Sequence, residues 1–547
     1  MSVNLEEKGS KIITNEKEDV HDPNYQDEGH HQGEGNVKRN LKQRHISMIA
    51  IGGTIGTGLF LGSGEALSNG GPVGLILGYA IMGVVVYSMM VALGEMVTMF
   101  PVSGAFTHYA TRFVDPALGF AVGFNYWYSF GITLPTEITA AAIVVQYWTS
   151  SVNVAVWITI FLITICAINF FGVRWYGEAE FWFSAIKVIA IVGLIILGIV
   201  LDLGGGPNHD RIGFRYWKNP GPFNQLNGIQ GSLGRFLSFW SVFVQAAFSY
   251  QGTEIVALTA GEAANPRQTV PKAINRVFYR ILMFYIGGVT VIGLLVPYNS
   301  PGLLGGTGDA TSSPFVIAIN NAGIKVLPDI VNAIILTSAY SAGNSDLYAG
   351  SRILYGLSVD RMAPKIFRRC TKGGLPLYSL IITSLFGILS YMNVNSSGST
   401  IFDWLSNISS ITGLITWWTI FLSYLRFHKG LAYKGIDRDT LHYKAPFQPY
   451  LSYFGITMIS IIIIFNGFKV FLAGSWSPSK FIAAYISLPI FVVFFVVWKT
   501  VKGTKLVKIE EMDFETGRRE LDEMDAFERS KNVEPTTAFG KFWAWLM

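Results

Sequence analysis

The chain has 547 residues, of which 50% are hydrophobic and only 14% charged, with a net charge of +5 and a mean hydropathy of +0.39. A soluble protein has about a quarter of its residues charged, so this deficit sets aside the ordinary soluble classes and points to a membrane protein. So small a net charge argues for no nucleic-acid partner, and two cysteines, Cys166 and Cys370, do not make a disulfide framework.

In chain order, residues 1–45 are polar and rich in Glu, His and Gly, and read as a disordered tail with no signal-peptide core. Twelve apolar segments of spanning length follow, because about 20 residues of helix cross the hydrocarbon core. They are Ile46–Leu67, Gly74–Phe100, Ala117–Trp148, Val154–Phe171, Phe181–Leu201 and Leu237–Leu258, then Val277–Val296, Pro328–Leu357, Leu377–Met392, Ile401–Leu425, Leu451–Ala473 and Phe481–Trp498. The reading is thus an all-α integral membrane domain over residues 46–498, with a second tail over residues 499–547. The basic loops KRNLKQRH, NPRQTVPKAINR, RMAPKIFRRCTK, RFHKGLAYKG and KTVKGTKLVK all fall on one side of this count. The excess of Lys and Arg there predicts that both termini are cytoplasmic.

The first span, IAIGGTIGTGLFLGSG, places small residues throughout an apolar segment. Each Gly weakens the helix and permits non-helical backbone. Irregular backbone at membrane depth is tolerated only where protein buries it or a cavity adjoins it, and a half-helix N-terminus there attracts a carboxylate. Close helix packing through Gly52 and Gly56, or Gly58 and Gly62, is the other reading. The sixth span, AAFSYQGTEIVAL, is also interrupted, by Ser249, Gln251, Gly252, Thr253 and Glu254. Two interrupted spans at corresponding places in two halves point to a transporter site, and spans one and six stand as two inverted five-helix repeats require.

Together RHISMIAIGGTIGTGLFLGSG, LGEMVTMFP, RFVDPALGFAVGFNYW, FSYQGTEIVALTAGEAANPRQTVPKAI and SAGNSDLYAGSR resemble the fungal amino-acid permeases of the amino acid-polyamine-organocation superfamily, over about residues 38–498. GGGPNHDRIGFRYWKNPG and SPFVIAINNAGIKVLP are most similar to the branch with proline, dicarboxylic and general permeases. The resemblance implies an inverted repeat with broken first and sixth helices, a central site, and proton-coupled amino-acid uptake at the plasma membrane. It implies that the substrate carboxylate meets the backbone of Thr54, Gly56, Thr57 and Gly58. The ammonium would meet carbonyls near Ile51 and over Phe248, Ser249, Tyr250 and Gln251, with Phe248 closing over the substrate.

Intramembrane ionisable groups are functional candidates because inserting them is costly. Glu254 reads either as a proton-linked group or as a hydrogen-bonded pin for the broken sixth helix. Lys187 resembles a fifth-span lysine that couples proton binding to the unwound first span; snorkelling to the interface is the competing reading. Glu137, after Pro135, suits a substrate cation or a partner lysine, whereas Glu95 suits a structural role. Ser338, Ser341, Asn344 and Ser345 on the eighth span, and Thr412, Gly413 and Thr416 on the tenth, suit a cavity lining or interhelical hydrogen bonds.

No metal or catalytic constellation is present in the sequence, and GGTIGTG lacks the Lys and preceding strand of a phosphate loop. No cofactor is expected. The candidate cavity charges Glu137 and Glu254 favour neutral amino acids, broadly or with a preference for proline, over aspartate and glutamate. A nutrient receptor on the same fold remains the other alternative. Lys8, Lys11 and Lys17 in the first tail are candidate ubiquitin acceptors, which would make the ubiquitin-ligase machinery a partner.

Overall fold

The structure is a computed structural model that describes residues 55–101, 105–171, 173–255, 266–304, 313–371 and 373–516. Ile51, Thr54 and the lysines of the first tail lie outside them. Among the described residues there are helices and turns and no strand.

Among the described residues seven helices are long and apolar enough to cross a membrane, or eight if the bent pair Pro478–Tyr485 and Ser487–Lys502 is one span. The remaining predicted spans depart from that test for physical reasons. The fourth, Val154–Phe170, is short, and the eighth, Leu327–Val359, is long but carries Asn332, Ser338, Ser341, Asn344, Ser345 and Asp346. The sixth is broken into Gly231–Trp240 and Val242–Tyr250. The first is described from Ile55 on: Ile55 and Gly56 are non-helical, a π-turn runs over Gly58–Gly62, and helix continues from Ser63. First and second spans run into one another at Gly71 and Pro72, where the chain kinks.

The third and tenth spans form the centre. Their most apolar windows are 89% and 78% buried inside protein, against 33% for the ninth and eleventh. The outer helices are apolar on faces that no described residue covers, as with Ile163, Ile189, Ile196 and Val493, which is what a lipid-facing helix requires. The third span packs on the eighth and tenth, and the eighth packs on the third and fifth. Exchanging spans one to five with six to ten swaps third with eighth and fifth with tenth, so these contacts map onto one another as inverted repeats demand.

Capping fixes where the central helices begin. Asp115 accepts from the Ala117 amide at 2.8 Å, with Pro116 in the first helical position, and so starts the third span. The same carboxylate receives Lys499 from the last turn of the twelfth span and Thr504 Oγ1, just past it, at 2.8 Å. Burial alone would raise the Asp115 carboxyl; these donors hold it below the ordinary carboxylate range. The segment 503–516 then runs beneath the basic-loop side, burying Met512 and Phe514. The Phe514 ring stacks on Phe113 at 5.6 Å.

Glu95 is fully buried at the end of the second span. It accepts from Arg438 at 2.8 and 2.7 Å, from Tyr424 at 2.9 Å and from the Ala445 amide at 2.8 Å. Its work is to tie the loop after the tenth span to the second. A buried carboxyl with this many donors is the satisfied case for a charge removed from water.

Candidate functional site

The two interrupted helices meet at Gly58 and Ser249. A Cβ built on Gly58 would stand 2.7 Å from the Ser249 Cα, so the first span touches the sixth backbone to backbone, and only glycine fits. Past Tyr250 the sixth span unwinds: Gln251 leaves helical geometry with ψ 154°, and Gly252 takes φ 79°, where a side chain is strained. Helical geometry is therefore lost at Gln251 and Gly252 of the sixth segment, and at the non-helical Ile55 and Gly56 of the first, where helical ends carry backbone groups without intrahelical partners.

That space is a cavity of ≈ 620 Å³ counting its open mouth. Gly56 and Gly58 line it from the first span, Phe248, Ser249, Gln251, Gly252 and Glu254 from the sixth, and Glu137 from the third. Ser345 and Asp346 reach it from the eighth. The Gln251 side chain is committed elsewhere: its amide donates to the Ser409 carbonyl and accepts from Ser409 Oγ at 2.9 Å, docking the unwound segment on the tenth span. What Gln251 offers the cavity is its backbone.

Other candidates from the sequence lie outside the lining. Thr57 is buried and donates to Glu137 Oε1 at 2.9 Å. Tyr250 turns to the second span, donating to the Tyr79 carbonyl at 3.1 Å with its ring 4.4 Å from that of Tyr285. Ser341 faces Glu180, and Thr416 accepts from Asn125 at 3.2 Å in the seam between third and tenth spans. Of the eighth-span hydroxyls, Ser338 donates to the Ile55 carbonyl at 3.2 Å, holding the last residue before the unwound turn.

Behind the first span lies a closed ionisable cluster. Lys187 is fully buried, so its ammonium does not reach interfacial water. Nζ makes no hydrogen bond and stands 3.8 Å from Glu180 Oε1. Glu180, equally buried, accepts from Ser341 at 2.7 Å and Ser184 at 3.2 Å. Glu137 and Asp346 complete the surroundings of Lys187, and each keeps one oxygen, Oε2 and Oδ2, without a hydrogen-bond partner. One ammonium thus faces three carboxyl groups contributed by the third, fifth and eighth spans.

Glu180 is the residue sequence reading missed. The fifth span begins at Val173 rather than Phe181, which carries Glu180 into the helix two turns before Lys187 and on the same face. A Glu and a Lys seven residues apart in a span was the signal available. Tyr126 and Ser129, in the wall of the cavity, were also passed over, because aromatic and hydroxyl residues on an apolar helix carry no distinctive pattern.

Glu254 is doubly bound: Tyr126 donates to Oε1 and Trp417 Nε1 to Oε2, both at 3.0 Å. The carboxyl thereby ties the broken sixth span to the third and tenth. Glu254→Ala strands both buried donors, each worth about 1–3 kcal/mol, and is expected to cut uptake more than tenfold and lower thermal stability. Glu254→Gln keeps an acceptor and is expected to hold uncoupler-sensitive uptake within about threefold of wild type. Accumulation lost with exchange intact in the Gln variant would instead make Glu254 a proton carrier.

The comparisons with known proteins agree with this architecture. The Amino acid permease family model matches residues 45–511. The chain is 46% identical to the dicarboxylic amino acid permease of Saccharomyces cerevisiae, over 91% of this chain and 83% of that protein. It is 44% identical to the proline-specific permease of Emericella nidulans, covering 93% of each. It is 45% identical to the basic amino-acid permease of Saccharomyces cerevisiae, over 94% of this chain and 90% of that protein. Relatives named for acidic, cyclic and basic substrates stand at nearly equal identity, so overall similarity does not select among them.

Proposed function

The chain belongs to the amino acid permease family, and from that premise we propose that it imports neutral amino acids, broadly or with a preference for proline, together with protons across the plasma membrane. In this reading the side with the basic loops is the cytoplasm, both termini lie there, and the central cavity opens alternately to either side.

The observation that carries the substrate class is the cavity wall. Its lining residues include Glu137, Glu254 and Asp346 and neither a Lys nor an Arg. A second substrate carboxylate would be desolvated there with no cation in the lining to meet it, a cost that favours neutral substrates over acidic ones. Glu254 is taken up by Tyr126 and Trp417, so the wall formed by Tyr126, Ser129, Phe130 and Thr133 confronts a side chain with aromatic rings and hydroxyls. Such a wall accepts small neutral groups without selecting one sharply.

The amino acid's shared part is read by the backbone of both broken helices: its carboxylate by the amides at the start of the first half-helix, its ammonium by carbonyls where the sixth unwinds. The proton is carried by the cluster of Lys187, Glu180, Glu137 and Asp346. Glu137 links the two sites, since it lines the cavity and receives Thr57 from the first span. Movement of that span on substrate binding changes what faces Lys187.

Uptake of labelled amino acids in a permease-deficient yeast tests the reading. L-alanine and L-proline are expected to accumulate, to be lost on adding an uncoupler, and to resist competition by excess glutamate. Accumulation of aspartate or glutamate would replace the neutral class by the acidic one. A surface-expressed protein that moves none of them would be a receptor.

A further inference from the structure

From the central cavity a column of aromatic and cationic side chains continues along the eighth span toward the basic loops. Ser345 lines the cavity and accepts from the Tyr176 hydroxyl at 3.2 Å. The Tyr176 ring lies flat on that of Tyr348, with centroids 3.8 Å apart and planes 8° from parallel. The Arg352 guanidinium stands 4.3 Å from the centre of the same Tyr348 ring, and since Tyr176 occupies one face it takes the other.

The order of these layers follows from the helices that carry them. Ser345, Tyr348 and Arg352 are spaced by three and four residues, so they share one face of the eighth span, with Arg352 about 10 Å farther along than Ser345. Tyr176 belongs to the first turn of the fifth span, which starts on the basic-loop side of the span count. Exposure follows the column: Tyr176 is buried, and Tyr348 and Arg352 are half-buried. The stack therefore fills the seam between fifth and eighth spans from the cavity wall out to a hydrated cation.

Its chemistry suits a closure that opens. Two rings nearly face to face are a less favoured arrangement than an offset or edge-on pair, and the cation on the outer face offsets part of that. Such layers exclude water while closed, yet part without stranding a charge, because Arg352 keeps its head toward water.

We propose that Tyr176, Tyr348 and Arg352 form the inner gate of this permease. Closed, the stack seals the cavity on the basic-loop side between fifth and eighth spans; the amino acid leaves when the two rings separate. Tyr348 is the middle layer, touching both others, so its loss opens the seam most. The proposal rests on the central cavity being the transport site.

Thiol labelling reads the gate without needing transport. In the full chain, Cys166 and Cys370 are replaced by Ser and the cavity-lining Ala342 by Cys. A charged, membrane-impermeant methanethiosulfonate is then applied to inside-out membrane vesicles and, separately, to whole cells. From the inner face the reporter should react slowly, and about tenfold faster once Tyr348→Ala removes the middle layer. Tyr348→Phe keeps the ring and should label at the parent's rate, with Arg352→Gln falling between. From the outer face Tyr348→Ala should bring no acceleration. Equal inner-face rates in Tyr348→Ala and its parent overturn the proposal. So does acceleration from both faces, which a loosened fold would produce. Uptake of labelled L-alanine, measured beside the labelling, reports the transport reading separately: gated labelling without uptake of any amino acid sinks that reading and leaves the gate standing.

Discussion

Lys187→Ala is expected to abolish concentrative uptake while leaving exchange of labelled for unlabelled substrate across proteoliposomes. Removing the ammonium leaves Glu180 fully buried with neutral hydroxyls, among them Ser341 and Ser184, to meet it. Taking one partner from a buried pair costs about 3–5 kcal/mol, so the single variant will also be less stable. Stability and coupling separate in Lys187→Met combined with Glu180→Gln, which removes both charges together. That pair should recover thermal stability and surface level yet remain unable to accumulate substrate, because neither side chain can then exchange a proton. Uncoupler-sensitive accumulation in the double variant would remove the fifth span from the coupling mechanism and leave Glu137 and Asp346 to account for it.

Gly58→Val should lower uptake by about 100-fold or more, with the protein still reaching the surface. The Cβ has nowhere to go: the neighbour at 2.7 Å is the Ser249 Cα, main chain rather than a side chain that might swing aside. First and sixth spans must move apart, and a displacement of about 1 Å in a positioned site is enough to cost two orders of magnitude. Ser249 is held by Tyr79 at 2.8 Å and by the Gln245 carbonyl at 2.9 Å, so the sixth span does not yield locally. Gly62→Ala is the control, since nothing lies within 4 Å of a Cβ built there. It should transport as wild type does, and equal losses in both variants would show that helix propensity, not the contact, is responsible.

The two variants probe the two devices of the molecule. Gly58 lets the broken helices meet backbone to backbone, and in the proposed function Lys187 answers to the rear of the same first span through Glu137 and Thr57. The link between them is short: Thr57 donates to Glu137, and a Cβ on the adjacent Gly56 would stand 3.1 Å from the same carboxyl oxygen. A displacement of the first half-helix is therefore felt at once by a group that faces Lys187.

By itself the sequence determined the class, the spans and the places where they break. Charge depletion and spanning length follow from the energetics of a hydrocarbon solvent, and runs such as GGTIGTG or SYQGTE interrupt an apolar pattern visibly because they violate it. It also singled out Lys187, Glu137 and Glu254, since an ionisable group inside a span is an anomaly in one dimension. Direction of side chains was decided by packing alone. Tyr250 and Ser341 lie beside cavity residues in sequence yet face Tyr79 and Glu180, because a helix turns 100° per residue and neighbours in sequence look different ways. Pairings were likewise tertiary: Lys187 with Glu180, Glu254 with Tyr126 and Trp417, and Phe248 with Phe402 each join helices whose approach no local pattern encodes. A buried polar group must find a partner, but which one it finds is set by where the packed spans place the donors and acceptors.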